Sequence, residues 1–182
     1  MLKVGFLGPK GTFSQEALLV YIKNKEYAAF DYNTIPDMLF AVQNKVIDEA
    51  VVPIENSLEG AVGVTLDMMA LDADLKIKSE IVIAVKQNLL VRKGTKPEEI
   101  KQILSHPQPV GQCGKYINSH FPDAEIRLVN STASAAREVA GGNMDSAAIG
   151  SSVAASVYGL QILASGIQDE KNNFTRFVVI SR

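Results

Sequence analysis

The chain has 182 residues, enough for one large domain or two small lobes that bury a substantial core. Its 18 Lys and Arg against 20 Asp and Glu give a net charge of −2, which argues against a nucleic-acid-binding protein. The single cysteine, Cys113, excludes a disulfide framework and a cysteine-rich zinc site. Neither a bilayer-length apolar run nor a signal-peptide pattern is present, so we expect a cytoplasmic protein that does not bind membranes.

Short apolar segments alternate with helical patterns along the first part of the chain, which is typical of an α/β fold. Thr34 has the position of an N-cap, with Pro36 in the first turn of its helix. Residues 50–52 are apolar without alternation, which predicts a strand buried on both faces. The expected elements, in order, are a strand at 2–7, a helix carrying Ala17 and Leu18, a strand at 28–32, the helix after Thr34, the strand at 50–52 and a helix at 60–71.

The strand-like segment at 77–91 is unusually long and could run from one lobe into another. After it we expect strands at 103–104, 126–129, 147–149, 160–163 and 174–180, with helices ending near His120, Val139 and Tyr158. This rhythm predicts two α/β lobes whose strand-to-helix turns face a cleft. Lobe 1 should hold about residues 1–78 and 172–182, so that the last strand returns to the lobe that contains the strand at 2–7. Lobe 2 should hold about residues 79–171.

Polar residues occupy several expected strand-to-helix turns. A helix N-terminus can bind an anion such as a carboxylate, but such residues can equally be simple N-caps. The turn at 8–12 lacks the full spacing of a phosphate-binding P-loop, and the glycine pattern of a dinucleotide site is absent. We therefore expect no cofactor and no metal, and we expect Cys113 to be a buried apolar residue rather than a nucleophile.

Two polar clusters are the strongest candidates for a functional site. In the first, Glu55, Asn56 and Ser57 directly follow the buried strand at 50–52. In the second, at 172–177, Thr175 and Arg176 stand between two phenylalanines at the start of a strand. From composition alone, a surface ion pair for Arg176 and an ordinary strand-forming role for Thr175 remain open alternatives.

Around these clusters the sequence resembles the prephenate dehydratase family over nearly its whole length. Each motif is weak alone, but their order and spacing together are specific. The matching segments are Gly8-Pro9-Lys10-Gly11-Thr12-Phe13-Ser14, Val52-Pro53-Ile54-Glu55-Asn56-Ser57 with Gly60, Ile103-Leu104-Ser105-His106-Pro107-Gln108 with Gln112, Ser131-Thr132-Ala133, Ala147-Ala148-Ile149-Gly150 and Asn172-Asn173-Phe174-Thr175-Arg176-Phe177.

The resemblance implies a two-lobed α/β fold like that of type II periplasmic binding proteins, with the active site in the interlobe cleft. It implies a cofactor-free reaction in which prephenate, the small-molecule substrate, loses its ring hydroxyl and ring carboxylate to give phenylpyruvate. It also implies a homo-oligomer, a dimer or a tetramer. Many members carry a C-terminal ACT domain that binds phenylalanine. This chain stops at Arg182, so we do not expect phenylalanine to inhibit it.

Residue roles follow from the same resemblance. Thr175 is the expected catalytic residue, donating a hydrogen bond to the leaving oxygen, and Arg176 is expected to bind a substrate carboxylate. Glu55 either orients a neighbour or donates a proton. His106 is a reserve proton relay or only a helix cap. The remaining implied substrate-binding positions are Asn56, Ser57, Ser105, Gln112, Ser131, Thr132, Thr12 and Phe177.

Three alternatives stay open at this point. Phe177 either walls the ring pocket or packs in the core. The substrate is either prephenate or arogenate, which differ in the head group of the side chain. The chain is either an enzyme or a non-catalytic protein of the same fold that binds a small organic anion.

Overall fold

The computed structural model describes residues 1–23, 25–71 and 74–182. The chain forms two compact units. The first contains Met1–Pro9, Phe13–Val85 and Asn172–Arg182, and the second contains residues 10–12 and 86–171. The first unit continues to Val85 because β5 pairs with the last strand along its length, so the boundary that we expected near residue 78 falls inside β5.

The elements follow one another in this order: β1 (Leu2–Leu7), α1 (Phe13–Tyr21), β2 (Tyr27–Tyr32), α2 (Ile35–Gln43), β3 (Glu49–Asn56), β4 (Gly60–Ala61), α3 (Gly63–Leu71), β5 (Lys76–Ala84), β6 (Asn88–Val91), a 3-10 turn (Pro97–Glu99), β7 (Gln102–Ser105), α4 (Pro107–Gln112), α5 (Gly114–His120), β8 (Glu125–Leu128), α6 (Thr132–Gly141), β9 (Ser146–Gly150), α7 (Ser152–Tyr158), β10 (Gln161–Ser165) and β11 (Phe174–Ser181).

The sheet of the first unit has the order β2-β1-β3-β11-β5, with β4 paired to β3. β1 runs parallel to β2 and β3, whereas β11 runs antiparallel to β3 and β5. Ala50, Val51 and Val52 of β3 are fully buried, since apolar clusters cover both faces of the strand. The predicted strand with two buried faces and the predicted return of the last strand to the first sheet are both confirmed.

The helix after Thr34 also begins as predicted. The Thr34 hydroxyl accepts a hydrogen bond from the backbone N–H of Asp37, and Pro36 lies in the first turn. The helix expected at 60–71 is wrong at its start: β4 occupies Gly60–Ala61, and α3 begins only at Gly63. The turn after β3 therefore leads into a hairpin rather than into a helix.

The sheet of the second unit has the order β10-β6-β9-β7-β8. The segment expected to be one long strand at 77–91 is two strands, β5 and β6, which lie in different sheets. The single helix expected to end near His120 is two helices, α4 and α5, separated at Cys113, whose φ of −113° and ψ of 15° are not helical. Gly111 and Gly114 flank this break and weaken a continuous helix. No helix in the described ranges is long and apolar enough to cross a membrane.

Candidate active site

A β-bulge aligns the two polar clusters of the first unit. Asn56 pairs with Thr175 and Glu55 pairs with Arg176, but the pairing of β3 with β11 then skips Ile54. If the register of Pro53 with Phe177 continued without a shift, Glu55 would face Thr175 and Asn56 would face Phe174. Bulges often re-aim side chains next to active sites. Here the bulge brings an amide, rather than a carboxylate, opposite the threonine hydroxyl.

The orientation of the Asn56 amide follows from its hydrogen bonds. Its Oδ1 accepts from the backbone N–H groups of Leu58, at 2.9 Å, and Glu59, at 3.2 Å. Of the two ends of an amide only the oxygen can accept a hydrogen bond, so Nδ2 must point the other way. Nδ2 donates to Thr175 Oγ1 and to Asn173 Oδ1, both at 2.9 Å. Because Thr175 Oγ1 accepts here, its own hydrogen is left to donate, and among the described residues we find no acceptor for it.

The residues around Thr175 are held in place from the backbone as well. Asn173 is buried, and its C=O accepts from the N–H of Val85 at 2.8 Å. The Ser57 hydroxyl accepts from the N–H of Phe174 at 2.9 Å and donates to the C=O of Asn172 at 3.2 Å. Asn56, Ser57 and the segment before Thr175 therefore form one hydrogen-bonded unit, which limits the freedom of the Thr175 hydroxyl.

Arg176 lies between two carboxylates on neighbouring strands. One guanidinium nitrogen lies 2.7 Å from Glu55 Oε2 on β3, and the other lies 3.5 Å from Glu80 Oε2 on β5. The three side chains are each about half exposed, at 44% for Arg176, 50% for Glu55 and 53% for Glu80. Solvent screening makes such pairs weak. Of the two roles left open for Glu55, this contact favours the one that orients a neighbour, namely Arg176.

In the second unit, two predicted residues lie at the junction of β7 and α4. Ser105 is fully buried, and its hydroxyl donates to the C=O of Ile149 at 3.0 Å. His106 is the N-cap of α4, and its Nδ1 accepts from the N–H of Gln108 at 3.4 Å. His106 therefore caps a helix, which was the alternative to its role as a proton relay. Ser105 links the neighbouring strands β7 and β9 through its hydrogen bond.

The other predicted residues of the second unit lie at helix starts or on α4. Ser131 caps α6 by accepting from the N–H of Ser134 at 3.0 Å, and Thr132 is the first residue of that helix. Thr12 follows Gly11, whose φ of +92° suits a glycine and whose C=O accepts from the Ser151 hydroxyl. Gln112 ends α4, and its side-chain Oε1 faces Gln87.

Phe177 and Cys113 belong to the hydrophobic cores. Phe177 is 2% exposed and packs with Phe6 and Val179 in the first unit, so the structure places it in the core rather than on an open pocket wall. Cys113 is fully buried in the second unit. Burial and then the nearby charge of Asp169 raise the pKa of its thiol to about 12, which suits a packing role.

Three residues with notable contacts were not among the predicted site residues: Asn173, Glu80 and Gln87. Asn173 lies inside the 172–177 motif, so the motif could have identified it as a site residue. Glu80 and Gln87 carry no local sequence signal, because only the pairing of distant strands and the packing of α4 reveal their partners. Within the described ranges, no group of three or more His, Cys, Asp or Glu side chains could hold a metal ion.

Comparisons with known proteins show which family this chain matches. Residues 4–182 match the family model of prephenate dehydratase. A bifunctional chorismate mutase/prephenate dehydratase from Neisseria gonorrhoeae is 41% identical over 182 residues, which cover 98% of this chain and 49% of that protein. The chain thus spans about half the length of this curated relative.

Two solved structures are similar over almost all of this chain. Prephenate dehydratase from Arthrobacter aurescens, in complex with L-Phe, has a TM-score of 0.88 and 33% identity, covering 100% of this chain and 60% of that one. GqqA, described as a novel type of quorum quenching acylase, has a TM-score of 0.83 and 27% identity, covering 99% and 64%. The expected α/β fold of the periplasmic-binding-protein type is confirmed. On the match over residues 4–182, the chain belongs to the prephenate dehydratase family.

Proposed function

We propose that the chain is a carbon–oxygen lyase that converts prephenate to phenylpyruvate in phenylalanine biosynthesis. The observation that carries the proposal is the contact of Asn56 Nδ2 with Thr175 Oγ1 at 2.9 Å. It leaves the Thr175 hydroxyl free to donate toward a bound ligand. Accepting one hydrogen bond also polarises a hydroxyl, so that it donates a stronger one.

The reaction needs such a donor. The prephenate dianion takes up one proton and yields the phenylpyruvate anion, carbon dioxide and water. The electrons of the broken C–C bond to the ring carboxylate complete the aromatic ring as the ring C–O bond breaks. Negative charge then grows on the leaving oxygen, and a fixed donor stabilises that charge more in the transition state than in the ground state. We assign this role to the Thr175 hydroxyl.

Arg176 is our candidate for binding a substrate carboxylate. A guanidinium has five N–H groups, and the contacts with Glu55 and Glu80 leave others available for a bidentate pair. We keep Gln112, Ser131, Thr132 and Thr12 as further substrate contacts. Ser105 supports the junction of β7 and α4, since its buried hydroxyl already donates to the C=O of Ile149. A cytoplasmic homo-oligomer remains part of the proposal.

One observation favours a second candidate substrate, arogenate. Its side chain carries an ammonium beside the carboxylate, whereas prephenate carries a ketone there. Two carboxylates, Glu55 and Glu80, flank the guanidinium of Arg176. The carboxylate of such a head group could pair with Arg176, and its ammonium could pair with Glu55 or Glu80. Arogenate therefore belongs in any substrate test.

The test is a direct assay of the purified chain. With prephenate, we expect phenylpyruvate, measured by absorbance in alkali, to form far faster than in buffer alone. With arogenate, phenylalanine is measured instead. Binding of either compound by calorimetry without product formation would identify a non-catalytic anion-binding protein and overturn the proposal. If product forms from arogenate and not from prephenate, the proposed substrate changes to arogenate and the proposed type of reaction stands.

A further inference from the structure

Gln87 is a buried amide just before β6 in the second unit. Its backbone is held at both groups: the N–H donates to Gln168 Oε1 at 3.0 Å, and the C=O accepts from the N–H of Ile167 at 2.9 Å. The residue is only 2% exposed. Its side-chain Nε2 donates to Gln112 Oε1 at 3.5 Å, while its Oε1 is buried and lacks a partner among the described residues.

Gln112 is held by the same part of the chain. Its backbone C=O accepts from the N–H of Asp169 at 2.7 Å, and the Asp169 carboxylate in turn accepts from the N–H of Lys115 at 3.3 Å. The segment from Ile167 to Asp169 thus fixes both Gln87 and Gln112. The side chain of Gln112 remains partly exposed, and in the described ranges its Nε2 has no partner.

In the structure, the Gln112 amide presents its oxygen to the NH2 group of Gln87. An amide can present either its NH2 group or its oxygen, and the partner of the other end decides which. With Gln87 donating to Gln112 Oε1, the NH2 group of Gln112 is the end left for a ligand. A buried amide with an unpaired oxygen costs free energy, which an apolar side chain of the same size would avoid. A purely structural role therefore explains Gln87 poorly.

We propose that Gln87 is a positioning residue that orients the Gln112 amide so that its NH2 group binds a substrate carboxylate. This inference rests on the proposed function. It assigns to Gln87 an effect on substrate binding that is exerted only through Gln112. Such an effect should appear in KM and should leave the chemical step nearly unchanged.

Three substitutions test the orientation. Gln87→Met keeps the size and removes the donor, and Gln87→Asn keeps the amide but shortens it out of reach. For both we expect KM for prephenate to rise about tenfold, the size expected when one hydrogen bond to a charged group is lost, with kcat within about twofold. Gln87→Glu places a carboxyl group at this buried position. At a pH at which it is ionised it only accepts, so it should turn the Gln112 NH2 group inward and raise KM further.

The decisive measurement is a double-mutant cycle with Gln112→Ala. In the Gln112→Ala background, Gln87→Asn should leave KM unchanged. The Gln112 amide, through which Gln87 is proposed to act on the substrate, is already absent there. An equal rise of KM in both backgrounds, or no rise in the wild-type background, would overturn the inference. Circular dichroism and thermal melting confirm that each variant is folded. Gln102→Met, the same change at another glutamine of the second unit, is the matched control and should leave KM unchanged.

The outcome for the proposed function is read separately from the unsubstituted chain. If that chain forms no product from prephenate or arogenate, the proposed function fails. If it turns over prephenate while Gln87→Met and Gln87→Asn keep the KM of the unsubstituted chain, only the role of Gln87 is refuted.

Discussion

Asn56 and Thr175 lie 119 positions apart in the chain, yet Nδ2 of the amide donates to Oγ1 of the hydroxyl across 2.9 Å. Two backbone N–H groups fix the amide, so this bond has a defined direction. Thr175 accepts from the protein and is left to donate to its ligand. The proposed chemistry depends on that direction.

Asn56→Asp tests the direction of this bond. The aspartate can still accept from the two backbone N–H groups, but it has no N–H to donate to Thr175. The Thr175 hydroxyl would then donate to the carboxylate and be lost to the leaving oxygen. We expect kcat to fall about a hundredfold, as for loss of one preorganised donor, with a folded protein. Steady-state kinetics give the answer. Asn118→Asp, which adds the same charge at an exposed site, should have normal kcat.

Arg176→Ala should act mainly on substrate binding. A carboxylate contact is present in both the ground state and the transition state, so its loss should raise KM at least as much as it lowers kcat. Arg176→Lys keeps the charge but not the planar fork, and it should recover only part of the affinity. Initial rates over a range of prephenate concentrations separate KM from kcat. A normal KM in Arg176→Ala would show that Arg176 does not bind the substrate carboxylate and only pairs with Glu55 and Glu80.

His106→Asn separates helix capping from proton transfer. Asparagine is a good N-cap residue but cannot relay protons at neutral pH, so we expect kcat within about threefold of wild type and nearly unchanged stability. His106→Ala should lower the melting temperature, because a cap is lost. A large fall of kcat in the folded His106→Asn variant would restore the proton-relay role for this residue.

Much of the fold could be predicted from the sequence because it depends on local signals. Thr34 with Pro36 marks the start of α2, and Ala50, Val51 and Val52 mark a strand with two buried faces. The split of residues 77–91 into β5 and β6 was not predicted. The whole segment favours extended structure, and only its pairing with two different sheets divides it.

The candidate site was predicted residue by residue but not as an arrangement. The motifs identify Asn56 and Thr175, but the bulge at Ile54 that brings them together depends on strand register. The sequence also could not distinguish a pocket wall from a core position for Phe177, since a phenylalanine suits both. Packing against Phe6 and Val179 decides for the core.

Cys113 gives a prediction about pH. Burial, and secondarily the charge of Asp169, raise the pKa of its thiol from about 9 to about 12. Since the folded state holds this proton more tightly, the contribution to stability is complete below about pH 9 and is lost as the pH rises toward 12. At pH 8 we expect a thiol reagent to label Cys113 only after denaturation. Rapid labelling of the folded protein at pH 8 would contradict this.

The most direct test of the account compares Thr175→Ala with Thr175→Ser in prephenate turnover. Both variants should fold, since Thr175 lies at the partly exposed start of β11. Removing the hydroxyl should lower kcat about a hundredfold or more with little change in KM, because the hydroxyl acts where charge grows in the transition state. The serine variant keeps the donor and should retain substantial activity. If folded Thr175→Ala forms phenylpyruvate at the wild-type rate, Thr175 is not the catalytic donor and the central claim fails.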